Sequence, residues 1–149
     1  MTEDKSGWAG TIQGMPAAGQ SAERSKTVTM REIELFTEIT GDRNPLHYDE
    51  AAARKSLFGG LIVQGGVTSG ILNAMVAEDL PGPGTVFLAM ELKFVKPVYV
   101  GDTITGRVQV TSVRTDKPIC TIEASVRNQR RETCLSGVAT TYTVPLAGN

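Results

Sequence analysis

The spacing of apolar and polar positions changes once along the chain, from a helical period before residue 85 to a period of two after it. Thr29-Met30-Arg31-Glu32 is a capping box, and Ile33, Phe36 and Ile39/Thr40 follow it at helical spacing. This predicts a first helix that stops at Gly41, a natural C-terminal glycine. Pro45 pushes Asn44 out of the helical region, so residues 42–46 are expected to form a bent loop. Residues 48–55, rich in Ala and Glu, read as a short second helix. A brief apolar stretch, Leu61-Ile62-Val63-Gln64-Gly65-Gly66, leads into a longer helix over about 66–80. Its apolar positions Val67, Ile71, Leu72, Met75, Val76 and Leu80 share one face, and its other face is small: Thr68, Ser69, Gly70, Asn73, Ala74 and Ala77. Such a helix is expected to be enclosed. Pro81-Gly82-Pro83-Gly84 ends it.

Residues 86–96, 103–113, 119–127 and 132–144 read as strands. The breaks fall at Pro97 with Gly101-Asp102, at Thr115-Asp116-Lys117-Pro118 and at Asn128-Gln129-Arg130. A helical first half and a strand-rich second half define an α+β chain, with an antiparallel sheet wrapped around a central helix.

Composition narrows the function classes. The 149 residues fit one domain, expected over 25–149, preceded by a flexible N-terminal extension over 1–24 that Trp8 could pin. A net charge of -1 gives no electrostatic case for nucleic acid or an acidic membrane face. No secretory signal or membrane-length apolar run is visible, so a cytoplasmic location is expected. Cys120 and Cys134 lack a CxxC spacing and read as buried structural thiols. One histidine and no clustered cysteines argue against a zinc site, and no metal is expected.

That single histidine closes the string Gly41-Asp42-Arg43-Asn44-Pro45-Leu46-His47. A carboxylate, a carboxamide and an imidazole within six residues can hold a water, take its proton and return one. Imidazole exchanges protons near neutral pH, and a carboxylate accepts and orients. Gly65 and Gly66 stand at the start of the central helix, where free N–H groups and the positive end of the helix dipole converge. They read first as an oxyanion donor, with tight helix–sheet packing as the alternative. Asn44 before proline is also explained as a turn residue.

The string from Phe36 to Ala51 resembles the signature of the MaoC-like (R)-specific enoyl-CoA hydratases of hot-dog fold. Ile62-Val63-Gln64-Gly65 resembles that family's Ile-Val-His-Gly segment, and residues 94–103 resemble its strand-turn-strand region. The resemblance spans residues 27–144. It implies that Asp42 and His47 are the catalytic pair, that Asn44 binds the water or orients its neighbours, and that the Gly65 N–H bonds the thioester carbonyl oxygen. It implies reversible hydration of an enoyl-CoA or acyl-carrier-protein thioester, with no cofactor, in a homodimer or higher homo-oligomer. Where the family usually has His before the glycine, this chain has Gln64. Gln can still hydrogen-bond a loop but removes a titratable group.

Other residues read as structural. Ser69 and Asn73 fit close packing, Glu78 and Asp79 a solvated helix end, and Arg130-Arg131 a hairpin tip, which could also meet coenzyme A phosphates. Two rival functions stand beside the hydratase. A thioesterase on the same fold would want a carboxylate on the central helix, where only Glu78 and Asp79 are available. A non-catalytic acyl-CoA-binding module is suggested by Gln64 alone.

Overall fold

The structure is a computed structural model and describes residues 6–147. Five antiparallel strands form one sheet in the order β1-β3-β4-β5-β2: β1 (Ser21–Thr27), β2 (Thr85–Phe94), β3 (Thr103–Val113), β4 (Ile119–Arg127) and β5 (Thr133–Thr143). The helices come between β1 and β2: α1 (Met30–Thr40), α2 (Pro45–Tyr48), α3 (Glu50–Lys55) and α4 (Gly65–Ala74). The chain leaves α4 through a π-helical turn, Met75–Asp79.

The strands from β2 onward lie close to where the alternating pattern put them; in β3, β4 and β5 the buried positions of that pattern are the core, whereas β2 stays largely exposed. Val108, Val110, Ile122, Val126 and Leu135 are almost wholly buried, and Ile71, Leu72, Met75 and Val76 pack onto them from α4 and its π turn. A Cβ on Gly106 would lie 2.8 Å from the Met75 sulfur, so β3 carries glycine where the helix comes closest to the sheet. The sheet covers only one side of α4. Its small face, Gly66, Gly70 and Ala74, borders a cleft of about 690 Å³ shared with α1 and β1, so the helix is less enclosed than expected.

Two expectations are corrected. Of the flexible extension expected over 1–24, residues 6–24 bury Trp8, Thr11 and Pro16 and run into β1 while most of the others stay exposed, and residues 1–5 lie outside the described residues. Trp8 is fully buried with its Nε1 donating to the Arg114 carbonyl at 2.7 Å, and the expected boundary at residue 24 falls inside β1. Residues 45–48, expected as part of a loop and the start of the next helix, form their own short helix. Pro45 occupies its first turn, where the missing N–H costs nothing and φ is already helical, and the Asn44 side chain caps it by accepting from Leu46 N–H at 3.1 Å.

Helix α1 begins and ends as expected. Thr29 Oγ1 accepts from the Arg31 N–H at 3.2 Å, and Glu32 Oε2 accepts from the Thr29 N–H at 2.6 Å. Gly41 stops the helix at φ 81°, a left-handed conformation that glycine adopts without strain, and its N–H closes on the Thr37 carbonyl at 2.7 Å. That stop turns the chain and sets Asp42 beside the end of α1.

Candidate active site

The loop after Gly41 is built from local hydrogen bonds. Asp42 Oδ1 accepts from the Asn44 N–H at 3.0 Å, which leaves Oδ2 to face the ring of His47. Asp42 Oδ2 and His47 Nε2 stand 3.7 Å apart, too far for a direct bond and close enough for both to touch one water. His47 is buried on the short helix α2, while the Asp42 side chain keeps about a third of its surface open.

A main-chain carbonyl orients the imidazole. His47 Nδ1 lies 2.7 Å from Ile62 O, and a carbonyl can only accept, so Nδ1 carries a proton. In the neutral ring Nε2 is then the bare nitrogen, and it is the one aimed at Asp42. The neighbouring Ile62 N–H donates to Leu46 O at 3.2 Å, so two main-chain contacts lock the strip before α4 to the histidine-bearing helix.

That strip delivers Gly65 and Gly66 to the start of α4. Gln64 is the N-cap and makes no side-chain cap bond. The Gly65 and Gly66 N–H groups have no acceptor among the described residues. These are the free donors that a helix start offers an oxyanion. The two glycines differ in their surroundings. A Cβ at position 66 would fall 2.1 Å from Phe36 Cζ on α1, so Gly66 serves packing, whereas a Cβ at Gly65 would meet only the exposed ring of Phe94, at 2.9 Å. Gly65 is exposed and lines a cleft of about 330 Å³ with Ile62, Thr68, Phe94 and Val98. Neither this cleft nor the larger one beside α1 is lined by Asp42 or His47.

Gln64 is buried, and its Nε2 donates to Ile33 O at 3.1 Å and Thr37 Oγ1 at 3.3 Å, tying the start of α4 to α1. Its Oε1 is buried without a partner among the described residues. An unpaired buried acceptor costs about 1–3 kcal/mol, so glutamine is held here against a penalty.

Asn44 spends its side-chain oxygen on the cap of α2. Asp79 is held by the Arg24 guanidinium through bonds of 3.1 and 2.9 Å, and Glu78 is exposed. Arg130 is paired with Glu132 at 2.7 Å. Cys120 and Cys134 are free and buried, and burial pushes both thiols up from their ordinary range. Two residues at the site carried no chemical signal of their own: Ile62, which acts through its carbonyl, and Thr37, a mid-helix threonine. Only the position of Thr37 four residues after Ile33, on the inward face of α1, marked it.

An antiparallel sheet packed on a central helix, with the Asp42–His47 loop tied through Ile62 to the strip before that helix, defines a hot-dog domain. Residues 12–131 match the MaoC-like domain model, and the chain belongs to that family. It is 36% identical over 121 residues to an (R)-specific enoyl-CoA hydratase of Aeromonas caviae, covering 81% of this chain and 90% of that one. An (R)-specific enoyl-CoA hydratase of Rhodospirillum rubrum is 36% identical over 107 residues, covering 72% of this chain and 74% of that one. Among solved structures, an (R)-hydratase from A. caviae involved in PHA biosynthesis superposes with a TM-score of 0.83 at 34% identity, covering 87% of this chain and 98% of that one.

Proposed function

We propose that this chain is an (R)-specific enoyl-thioester hydratase and 3-hydroxyacyl-thioester dehydratase, working on coenzyme A or acyl-carrier-protein thioesters. The observation that carries the reading is the 3.7 Å gap between Asp42 Oδ2 and an Nε2 whose ring is fixed by Ile62. One water held by both groups loses a proton to the pair as its oxygen attacks Cβ. The electron pair moves onto the thioester carbonyl oxygen, which takes the Gly65 N–H as donor. Cα then receives a proton from the pair, whose total is unchanged. Addition from one water is syn. Asn44 orients the loop, and through it the water. Each step uses side chains, backbone and water, and the proposal assigns no metal or cofactor.

The same reading includes a homodimer. Strand β2 is an edge of the sheet and exposes Val86, Leu88, Met90 and Phe94, an apolar edge that invites another strand. Phe94 packs beside Gly65, so a second copy joined there would border the site. Sedimentation of the wild type as a dimer, with Met90→Lys shifted toward monomer, is expected. A monomer of full activity would overturn this part.

The test of the chemistry is loss of enoyl-thioester ultraviolet absorbance with crotonyl-CoA, with Asp42→Asn alongside. Turnover by the wild type and near silence in the variant is expected. Equal turnover by both would remove Asp42 from the mechanism. Tight binding of crotonyl-CoA with no turnover would favour a non-catalytic acyl-CoA-binding module.

A further inference from the structure

The hydroxyl of Thr37 touches three groups, and counting protons fixes the direction of each bond. Thr37 Oγ1 lies 2.7 Å from the Asp42 carbonyl oxygen, which can only accept, so the single hydroxyl proton of Thr37 goes there. Gln64 Nε2, at 3.3 Å, is a donor. Tyr48 OH also bonds to Thr37 Oγ1; with the threonine proton already used, the tyrosine proton goes to this short contact, and Ile33 O, 3.5 Å from the same Tyr48 hydroxyl, is left at the outer limit of a bond. Thr37 is buried, so water does not compete for these contacts.

The two loop residues on this hydroxyl are telling. Asp42 opens the loop, and Tyr48 directly follows His47 at its far end. The third partner, Gln64, precedes Gly65. We propose that Thr37 is the positioning residue of the site: its hydroxyl clasps both ends of the loop that carries Asp42 and His47, with Gln64 and Tyr48 orienting it. This rests on the hydratase reading for its meaning in catalysis, and its geometric part can be tested without substrate. Thr37 touches no reacting atom. Its effect is on the separation of the two groups that do, and a displacement on the order of 1 Å at a reacting centre costs about a hundredfold in rate.

The chain has one histidine, so the imidazole resonances of untagged protein report His47 alone. The experiment records the His47 Hε1 resonance at fixed pH in wild type, Asp42→Asn, Thr37→Val, Thr37→Ser and Tyr48→Phe. Thr37→Val is expected to move the resonance toward its position in Asp42→Asn, and Thr37→Ser to leave it near wild type. With crotonyl-CoA, Thr37→Val is expected to lower kcat by about tenfold to a hundredfold with KM within about twofold, and Thr37→Ser to restore it. A wild-type resonance position in Thr37→Val overturns the proposal whatever the activity. Should Thr37→Val fail to fold, Tyr48→Phe decides by the same resonance: a shift toward Asp42→Asn supports the clasp, and none overturns it. A silent wild type with the resonance shifts intact would sink the hydratase reading and leave the clasp standing.

Discussion

The Nδ1 atom of His47 lies 2.7 Å from the carbonyl oxygen of Ile62, fifteen residues further along the chain. The contact fixes which ring nitrogen is free, and hence which one can exchange a proton beside Asp42. In His47→Asn the side-chain Nδ2 takes the place of Nδ1 and can still donate toward Ile62 but cannot cycle a proton. The expected result is a fall in kcat of about a hundredfold to ten-thousandfold with little change in melting temperature. Hydration of crotonyl-CoA by the variant, followed beside its thermal unfolding, checks this. Undiminished kcat would take His47 out of proton transfer.

Two glycines four residues apart on α4 respond in opposite ways to the same change. An added Cβ at Gly66 would lie 2.1 Å from the Phe36 ring, whereas one at Gly70 has nothing within 4 Å. Gly66→Ala therefore forces α1 and α4 apart and is expected to cost about 1–3 kcal/mol. Gly70→Ala removes backbone entropy from the unfolded chain and should stabilise by roughly 0.5–1 kcal/mol. Urea unfolding of the two variants gives both signs in one experiment. A stable Gly66→Ala would mean that Phe36 swings aside freely.

Acid should loosen the start of α1. Partial burial pushes the Glu32 carboxyl up, but hydrogen bonds from the Thr29 hydroxyl and N–H, its own backbone N–H and Lys26 outweigh that and hold it at about 2. A carboxyl with a pKa below its ordinary 4.5 makes the folded state bind fewer protons than the unfolded one between those values. Its contribution is therefore present above about 4.5 and lost as pH falls toward 2. Glu32→Gln keeps the reach of the capping box without the charge. It should be less stable than wild type at pH 6, and the difference should shrink as pH is lowered through that window. Denaturant midpoints at a series of pH values measure it, and a constant difference would remove the Glu32 charge as the cause.

What could be read ahead of the structure follows from how far apart in the chain the deciding contacts lie. The four strands of the second half each carry their own alternation, and Asp42 and His47 fall within one six-residue string, so both were legible locally. Strand β1 was not, because Ser21-Ala22-Glu23-Arg24-Ser25-Lys26-Thr27 is polar on both faces. Main-chain pairing with β3 holds it at the sheet edge, helped by hydroxyl pairs Ser25–Thr105 at 2.7 Å and Thr27–Thr103 at 2.8 Å. Ile62 and Thr37 were hidden for a related reason. One acts through a carbonyl that every residue has, and the other through contacts made only once α1, the loop and the start of α4 meet.

Trp8 is the chain's only tryptophan, wholly buried, with Nε1 on the carbonyl of Arg114 just beyond the end of β3. At the other end of that strand, Asp102 Oδ2 accepts from the Tyr99 N–H at 2.9 Å, and Tyr99 bridges to Ile62, the residue that holds His47. An eleven-residue strand at about 3.3 Å per residue separates the two. Trp8→Ala should therefore cost about 3–5 kcal/mol of stability while leaving kcat near wild type, because it empties a core position remote from Asp42 and His47. In the wild type, tryptophan fluorescence should shift together with the loss of far-ultraviolet circular dichroism on heating, since the segment is part of the same core. A fluorescence change well below the main transition would show that residues 6–20 undock first, and a lost kcat in the folded variant would tie the segment to the site.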